Sequence, residues 1–349
     1  MLDVRRLRLL RELAHRGTIA AVAEAVSFTP SAVSQQLSAL EREAGVPLLT
    51  RSGRGVVLTP AGRTLVRHAE AVLAQLERAA AELDGARQGL SGSLRIGTFP
   101  SAGRVMVPAA LASLARHHPG LEPMVVELDP AQVADALRAG DLDVALVHSY
   151  DFAPVPAEAG IAVIPLCREA MFLATSDPQL TAIADCRDQP WILAVDGTLC
   201  HRMTVHACEA AGFTPQARHQ IDDFATVLAL VAAGQGVALV PELGLVDRPD
   251  DVTLTRLPLA RHTRIAHRGG AEDHPAVRAF AEAMRSAVPA GLQGCFLPSS
   301  RVPVPPRPEL HRQDDQRDQR EQPAVRDDDQ RRQRGDDDQQ TGVEARPAG

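Results

Sequence analysis

FTPSAVSQQLSALEREAG, residues 28–45, carries two faces of opposite character. Thr29-Pro30 is a helix entry, a capping hydroxyl followed by proline at the first helical position. At about 100° per residue, Val33, Leu37, Leu40 and Ala44 gather on one side. Ser31, Ser34, Gln35, Ser38 and Arg42 gather roughly opposite. A surface helix usually shows long charged side chains there; this one shows mostly short hydrogen-bonding ones, and Gly45 ends it.

Upstream, residues 3–16 place Val4, Leu7, Leu10 and Ala14 on one face, and Gly17 closes the pattern. Thr18 opens a short Ala-rich helix running through Val26, and Ser27–Thr29 form a turn. Two short helices joined by a tight turn, the second exposing small polar groups, describe a helix-turn-helix. Short serines let a backbone approach a major groove closely, and Gln reaches a base edge with two hydrogen bonds. The following VPLLTRSGRGVVLT reads as a small hairpin whose Arg51 and Arg54 suit phosphate or minor-groove contact. Residues 1–67 hold ten Arg against five acids, a balance of +5, which leaves −12 for the rest of a chain whose net charge is −7. A basic head on an acidic body fits nucleic-acid binding at one end.

The run AAVAEAVSFTPSAVSQQLSALEREAGVPLLTRSGRGVVLTPAG resembles the winged helix-turn-helix of LysR-type transcriptional regulators, over about residues 1–66. The family's small-residue run falls on Ala20–Ala21, the serine of its A-V-S on Ser34, its L-E on Leu40-Glu41, its wing arginine on Arg51 and its L-T-x-A-G on Leu58–Gly62. The resemblance implies DNA contact by Pro30, Ser31, Ser34 and Gln35; with Thr29, Arg51 and Arg54 these make the candidate DNA-binding set. Pro30 stands where Gln is common and Gln35 where Arg is frequent, so base preference should differ from that of other members; Leu49, where Phe is usual, is a core change expected to be silent for function.

Thr59-Pro60 enters a long helix to about Gln88, with Leu65, Ala69, Val72, Leu76, Ala80 and Leu83 in a stripe. The stripe is too long for a 60-residue head to cover, and in the family this linker helix dimerises. GLSGS (89–93) reads as a linker. From Leu94 the texture alternates strand and helix: LRIGT, a helix from about Ala102 to His117, MVVELD, a helix at 130–139, DVALVH, MFLAT, WILAV, a helix from about Leu199 to Ala211, ARHQI, a helix from about Phe224 to Ala233, GVALVP, and a last helix at 274–287. The expectation is a winged helix-turn-helix (1–58), a linker and hinge (59–90) and a two-lobed α/β effector domain (91–290) resembling periplasmic binding proteins. Lobe I is placed at about 94–166 and 264–290, and lobe II at about 167–263.

Ligands of open α/β sheets sit at strand carboxyl ends beside helix N-termini. Thr98-Phe99-Pro100-Ser101 and Asp196-Gly197-Thr198 are two such junctions. Thr98, Ser101, Thr198, His201, Asp223 and Phe224 are the candidate effector residues, for a small carboxylate or other anion. Asp222 or Asp223 caps the helix near Phe224 or meets a ligand amine.

The five Cys have no C-x-x-C spacing, which fits a reduced cytoplasmic chain. Cys200, His201, His206 and Cys208 scatter around one helix and cannot converge on a metal, and the two Cys lie too far apart for a disulfide. No cofactor or metal is expected. No nucleophile–base pair, P-loop or GxGxxG appears, so no enzyme is expected, and no apolar run reaches the roughly 18 residues of a membrane span. Order is expected to fail after about Val288. Residues 311–340, almost entirely Arg, Asp, Gln and Glu, leave 291–349 as a disordered tail or a mis-read 3′ end. The reading is an effector-controlled LysR-type regulator, a homodimer or homotetramer on an operator with RNA polymerase nearby. The alternative is a solute-binding or catalytic α/β protein with an incidental head.

Overall fold

The computed structural model describes residues 1–53, 55–85, 90–151 and 157–295. Arg54 and nearly all of the expected tail lie outside the described residues.

In the head, α1 (Val4–Arg16), α2 (Ile19–Ala25) and α3 (Pro30–Ala44) start on Asp3, Thr18 and Thr29, whose side chains accept from the first-turn amides. α1 and α3 close on left-handed Gly17 and Gly45. The apolar stripes meet in one core of Leu7, Leu10, Leu13, Val22, Val33, Leu37, Leu40 and Leu48. β1 (Leu49–Ser52) and β2 (Gly55–Leu58) form the antiparallel wing. Glu41 ties it to α3, one carboxylate oxygen accepting from the Leu48 and Leu49 amides at 2.9 and 3.0 Å. α4 (Pro60–Gly85) starts hard against this joint. A Cβ on Gly62 would stand 2.2 Å from the Leu48 carbonyl oxygen, so only glycine fits. The L-E and L-T-x-A-G signatures thus have direct packing causes.

α4 is two-sided. Ala69, Leu73 and Ala81 are buried, while Val72, Leu76 and Leu83 are exposed along one stripe. Its inner side lies on the body: Glu77 meets Arg268 at 3.1 Å and Asp84 meets His274 at 3.1 Å. Gly270 packs so closely that a Cβ there would lie 2.1 Å from the Ala74 carbonyl oxygen. Arg16 of α1 reaches Asp135 at 3.3 Å.

The body alternates β3 (Ser91–Thr98), α5 (Pro100–Val105), α6 (Val107–His117), β4 (Gly120–Glu127), α7 (Pro130–Ala139), β5 (Val144–Tyr150), β6 (Ile161–Thr175), β7 (Pro190–Leu193), α8 (Leu199–Ala210), β8 (Gln216–Gln220), α9 (Phe224–Ala232), β9 (Ala238–Pro241), β10 (Thr253–Arg268) and α10 (Pro275–Ala287). One sheet runs β4-β3-β5-β10-β6-β9, and a parallel pair β7-β8 touches it through a Trp191–Val237 bridge. β6 and β10 pair along most of their length, with a register break between Arg256 and Ala260. At one end β10 pairs with β5 and at the other β6 pairs with β9. The two long strands therefore run through both lobes.

Several expectations differ from this. The segment 91–93 belongs to β3 and is not linker. The single helix expected from Ala102 splits at Met106 into α5 and α6, where Pro108 lacks the amide to continue the ladder. β6 begins ten residues before MFLAT, and β10 was not foreseen. Order also continues past Val288: Ala290–Cys295 is a 3₁₀ turn whose Leu292 is buried in the core of α6 and α10.

Candidate DNA-reading face and interlobe cleft

On α3 the periodicity separates into structure as chemistry requires. Val33, Leu37 and Leu40 are buried, and Ser31, Ser34, Gln35, Ser38 and Arg42 are exposed on the opposite side. Pro30 and Arg51 are exposed too, so six of the seven candidate DNA-contacting residues stand at the surface of α3, its N-cap and the wing. The seventh, Arg54, lies outside the described residues. The Thr29 hydroxyl accepts from the Ala32 amide at 3.2 Å, so it also holds the helix start.

The cleft is a cavity of about 170 Å³ walled by Phe99, Ser101 and Pro130 on one lobe and by Thr198, Cys200 and Phe224 on the other, with His148 and Arg261 at its floor. Of the candidate effector residues, Ser101, Thr198 and Phe224 line it. Three do not. Thr98 is buried beneath the wall, its hydroxyl donating to the Phe99 carbonyl at 3.3 Å. His201 is turned to Asp196, 2.9 Å away. Asp223 caps α9 through the Thr226 amide and hydroxyl at 2.9 and 2.8 Å, which holds its carboxyl below the usual range. Asp222 is the wall residue instead, and its carboxylate accepts from the Val195 amide at 2.9 Å.

The floor comes from three strands in register. Tyr150, Arg261 and Glu169 lie side by side across β5, β10 and β6, and His148, Thr263 and Cys167 form the next row. Arg261 and Glu169 are fully buried and joined at 2.7 Å. Glu169 also accepts from the Leu243 amide at 2.7 Å, and Arg261 donates to the Ser101 hydroxyl at 2.9 Å. The guanidinium stands 5.0 Å from the Phe99 ring centre. The Tyr150 hydroxyl lies 2.8 Å from the Cys200 sulfur. Burial pushes the Tyr150 phenol well up and the Cys200 thiol up, so both stay protonated at neutral pH. Burial, with the Arg261 charge beside it, holds the His148 imidazole well below its ordinary value and therefore neutral. His148 Nδ1 and Thr263 Oγ1 are buried with no hydrogen-bond partner among the described residues.

Two family descriptions match the chain: "Bacterial regulatory helix-turn-helix protein, lysR family" over residues 4–63 and "LysR substrate binding domain" over residues 87–289. The chain belongs to the LysR family. This LysR-type transcriptional regulator is 31% identical over 266 residues to the Probable hydrogen peroxide-inducible genes activator of Mycobacterium avium, covering 73% of this chain and 82% of that one. It is 26% identical to the Transcriptional dual regulator GltC of Bacillus subtilis, covering 69% and 81%. Among solved structures, a cysteine-to-serine mutant of Corynebacterium glutamicum OxyR with hydrogen peroxide bound superposes at a TM-score of 0.51 with 27% identity, covering 82% and 92%. LysR regulators bind DNA and are oligomeric, so the head is the regulator's helix-turn-helix domain and the body its substrate-binding domain. No helix among the described residues is long and apolar enough to cross a membrane.

His148, Tyr150, Glu169 and Arg261 of the regulator's cleft were missed from the sequence. Each sits within an apolar or mixed strand, and only the pairing of three distant strands brings them together. The one local hint was DVALVH, where a strand buried on both faces ends its apolar run on a histidine.

Proposed function

We propose that this regulator switches its operator binding through a small uncharged polar effector held in the interlobe cleft. One feature of the cleft carries this: His148, buried and neutral, has a ring nitrogen with no partner beneath a cavity open to solute. A buried polar atom left unpaired costs about 1–3 kcal/mol, which a ligand atom placed there would recover. The Ser101 hydroxyl accepts from Arg261, leaving its own O–H to donate, and the Thr198 end of α8 stands opposite.

The charge balance favours an uncharged ligand over the carboxylate or other anion expected at first. Arg261 is neutralised by Glu169 beneath it, and Glu127, Asp129 and Asp222 stand on the walls. An anion would enter a net negative site. Relatives named for hydrogen peroxide raise a second signal, oxidation of a cleft thiol. Cys200 suits that poorly, because only the thiolate is a good nucleophile and burial keeps this thiol protonated. Reversible binding of a metabolite is the better-supported reading.

In this proposal Ser31, Ser34 and Gln35 read bases while Arg51 and Arg54 hold phosphates. The exposed Val72, Leu76 and Leu83 stripe of α4 joins two copies. The protein acts in the cytoplasm without enzymatic activity, and ligand closure shifts the population between two arrangements of the oligomer, changing promoter bending or contact with RNA polymerase.

The test is calorimetry on the full chain with matched pairs of small carboxylic acids and their primary amides. Saturable binding of an amide, lost in His148→Ala and accompanied by a changed operator affinity, supports the proposal. Binding confined to the carboxylate members refutes the uncharged class, and binding unaffected by His148→Ala refutes the site.

A further inference from the structure

The head contains a single aromatic residue in residues 1–67, Phe28, and it is not in the core. The core of the head is built from Leu, Val, Ala and Ile alone, while Phe28 is 53% exposed. The Phe28 amide donates to the Ala23 carbonyl at 2.8 Å, and Ser27 before it takes a positive φ of 54°. The residue after it, Thr29, caps α3. The backbone is therefore pinned on both sides of the ring, at the N-terminal tip of α3 beside exposed Thr29, Pro30 and Ser31. In helix-turn-helix proteins this end of the helix meets the base edges. Polar groups there match hydrogen-bonding edges, but the major groove also carries an apolar feature, the thymine 5-methyl group, and phenylalanine is one of the side chains that contacts it.

We propose that Phe28 is a specificity-determining residue that lays its ring against a thymine methyl group in the major groove, next to the bases faced by Ser31 and Gln35. The contact is apolar, so it adds no term to the salt dependence, unlike an arginine on phosphate. It also asks nothing of the head's own packing, since the ring lies outside the core.

The probe is the gene's own upstream fragment, footprinted and then synthesised with deoxyuridine in place of thymidine, which removes only the methyl groups. Wild-type protein should lose about four-fold in affinity per half-site, the burial of one methyl-sized group. A scan of single thymine positions should place that loss at one position in each half-site. Phe28→Ala should bind the thymine fragment about as weakly as the wild type binds the uracil one. It should show no further loss at the same position on uracil. Phe28→Leu should keep most of the discrimination. Unchanged melting temperatures in both variants would support a ring that serves only DNA. Indifference of the wild type to uracil at every position would overturn the proposal. So would an equal uracil penalty in wild type and Phe28→Ala, or a clear loss of stability in Phe28→Ala.

Discussion

Replacing Glu169 by Gln puts the cleft floor to a stringent test. The side chain is wholly buried, its two oxygens serving Arg261 Nε at 2.7 Å and the Leu243 amide at 2.7 Å. Glutamine keeps the volume but offers one acceptor and one donor where two acceptors are needed. One N–H partner is left facing another, and the buried guanidinium loses its counter-charge. Removing one member of a buried ion pair costs about 3–5 kcal/mol. Replacing both members together, Glu169→Leu with Arg261→Met, removes both charges and should cost less than the single change, about 1–3 kcal/mol, the remainder being the Leu243 amide left without its acceptor. Against the single Glu169→Leu and Arg261→Met variants, each expected to cost about 3–5 kcal/mol, the coupling between the two sites should be about 3 kcal/mol or more. Urea unfolding followed by the fluorescence of Trp191, the chain's single tryptophan and fully buried in lobe II, reads the difference. A Glu169→Gln cost below about 1 kcal/mol would refute the reasoning, because it would put the pair in the class of exposed, weakly coupled ions.

His148 should show itself through pH. Its folded-state value lies below the unfolded value of about 6.5, so the unfolded chain binds more protons and stability falls as pH drops below about 6.5. The wild type should lose up to about 1.4 kcal/mol per pH unit more than His148→Gln between pH 6.5 and 5; parallel stability curves for the two proteins would contradict this. Gly62→Ala drives a methyl to 2.2 Å from the Leu48 carbonyl oxygen. It should destabilise the head by about 1–3 kcal/mol in thermal unfolding, as overpacking does. Leu76→Glu, on the exposed stripe of α4, should raise the dissociation constant of the oligomer in sedimentation while leaving the unfolding of the isolated chain unchanged. Arg51→Ala should weaken all DNA sequences alike and reduce the salt slope by about one, whereas Gln35→Ala should alter base preference with the slope kept.

The head was legible almost to the residue because its signals are local. Thr18, Thr29, Gly17 and Gly45 punctuate helices whose stripes repeat every three or four residues. The body was legible where strands are apolar runs between Gly and Pro, as in Val144–Tyr150 and Ala238–Pro241. Thr253–Arg268 was not, since TLTRLPLARHTRIAHR carries four Arg, two His and a Pro and reads as surface. Two of its arginines meet acids from elsewhere in the chain, Arg261 with Glu169 and Arg268 with Glu77, and the His262 ring lies 2.6 Å from Asp151. Composition counts a charge without knowing its partner. The same limit hid the cleft floor, whose members lie up to about 110 residues apart, and it drew attention to His201 and Asp223, which have local partners of their own.

Because Gly270 has no side chain, the backbone of lobe I rests directly on Ala74, and Glu77 and Asp84 fix the helix on the same side. The stretch from Ala74 back to Pro60 spans about 21 Å of rigid helix, ending in the DNA-reading head. A rotation of lobe I by about 10° would carry that end by about 4 Å, close to the 3.4 Å between successive base pairs. A glycine that admits no methyl group thus sets how closely lobe I seats the helix that leads to the head.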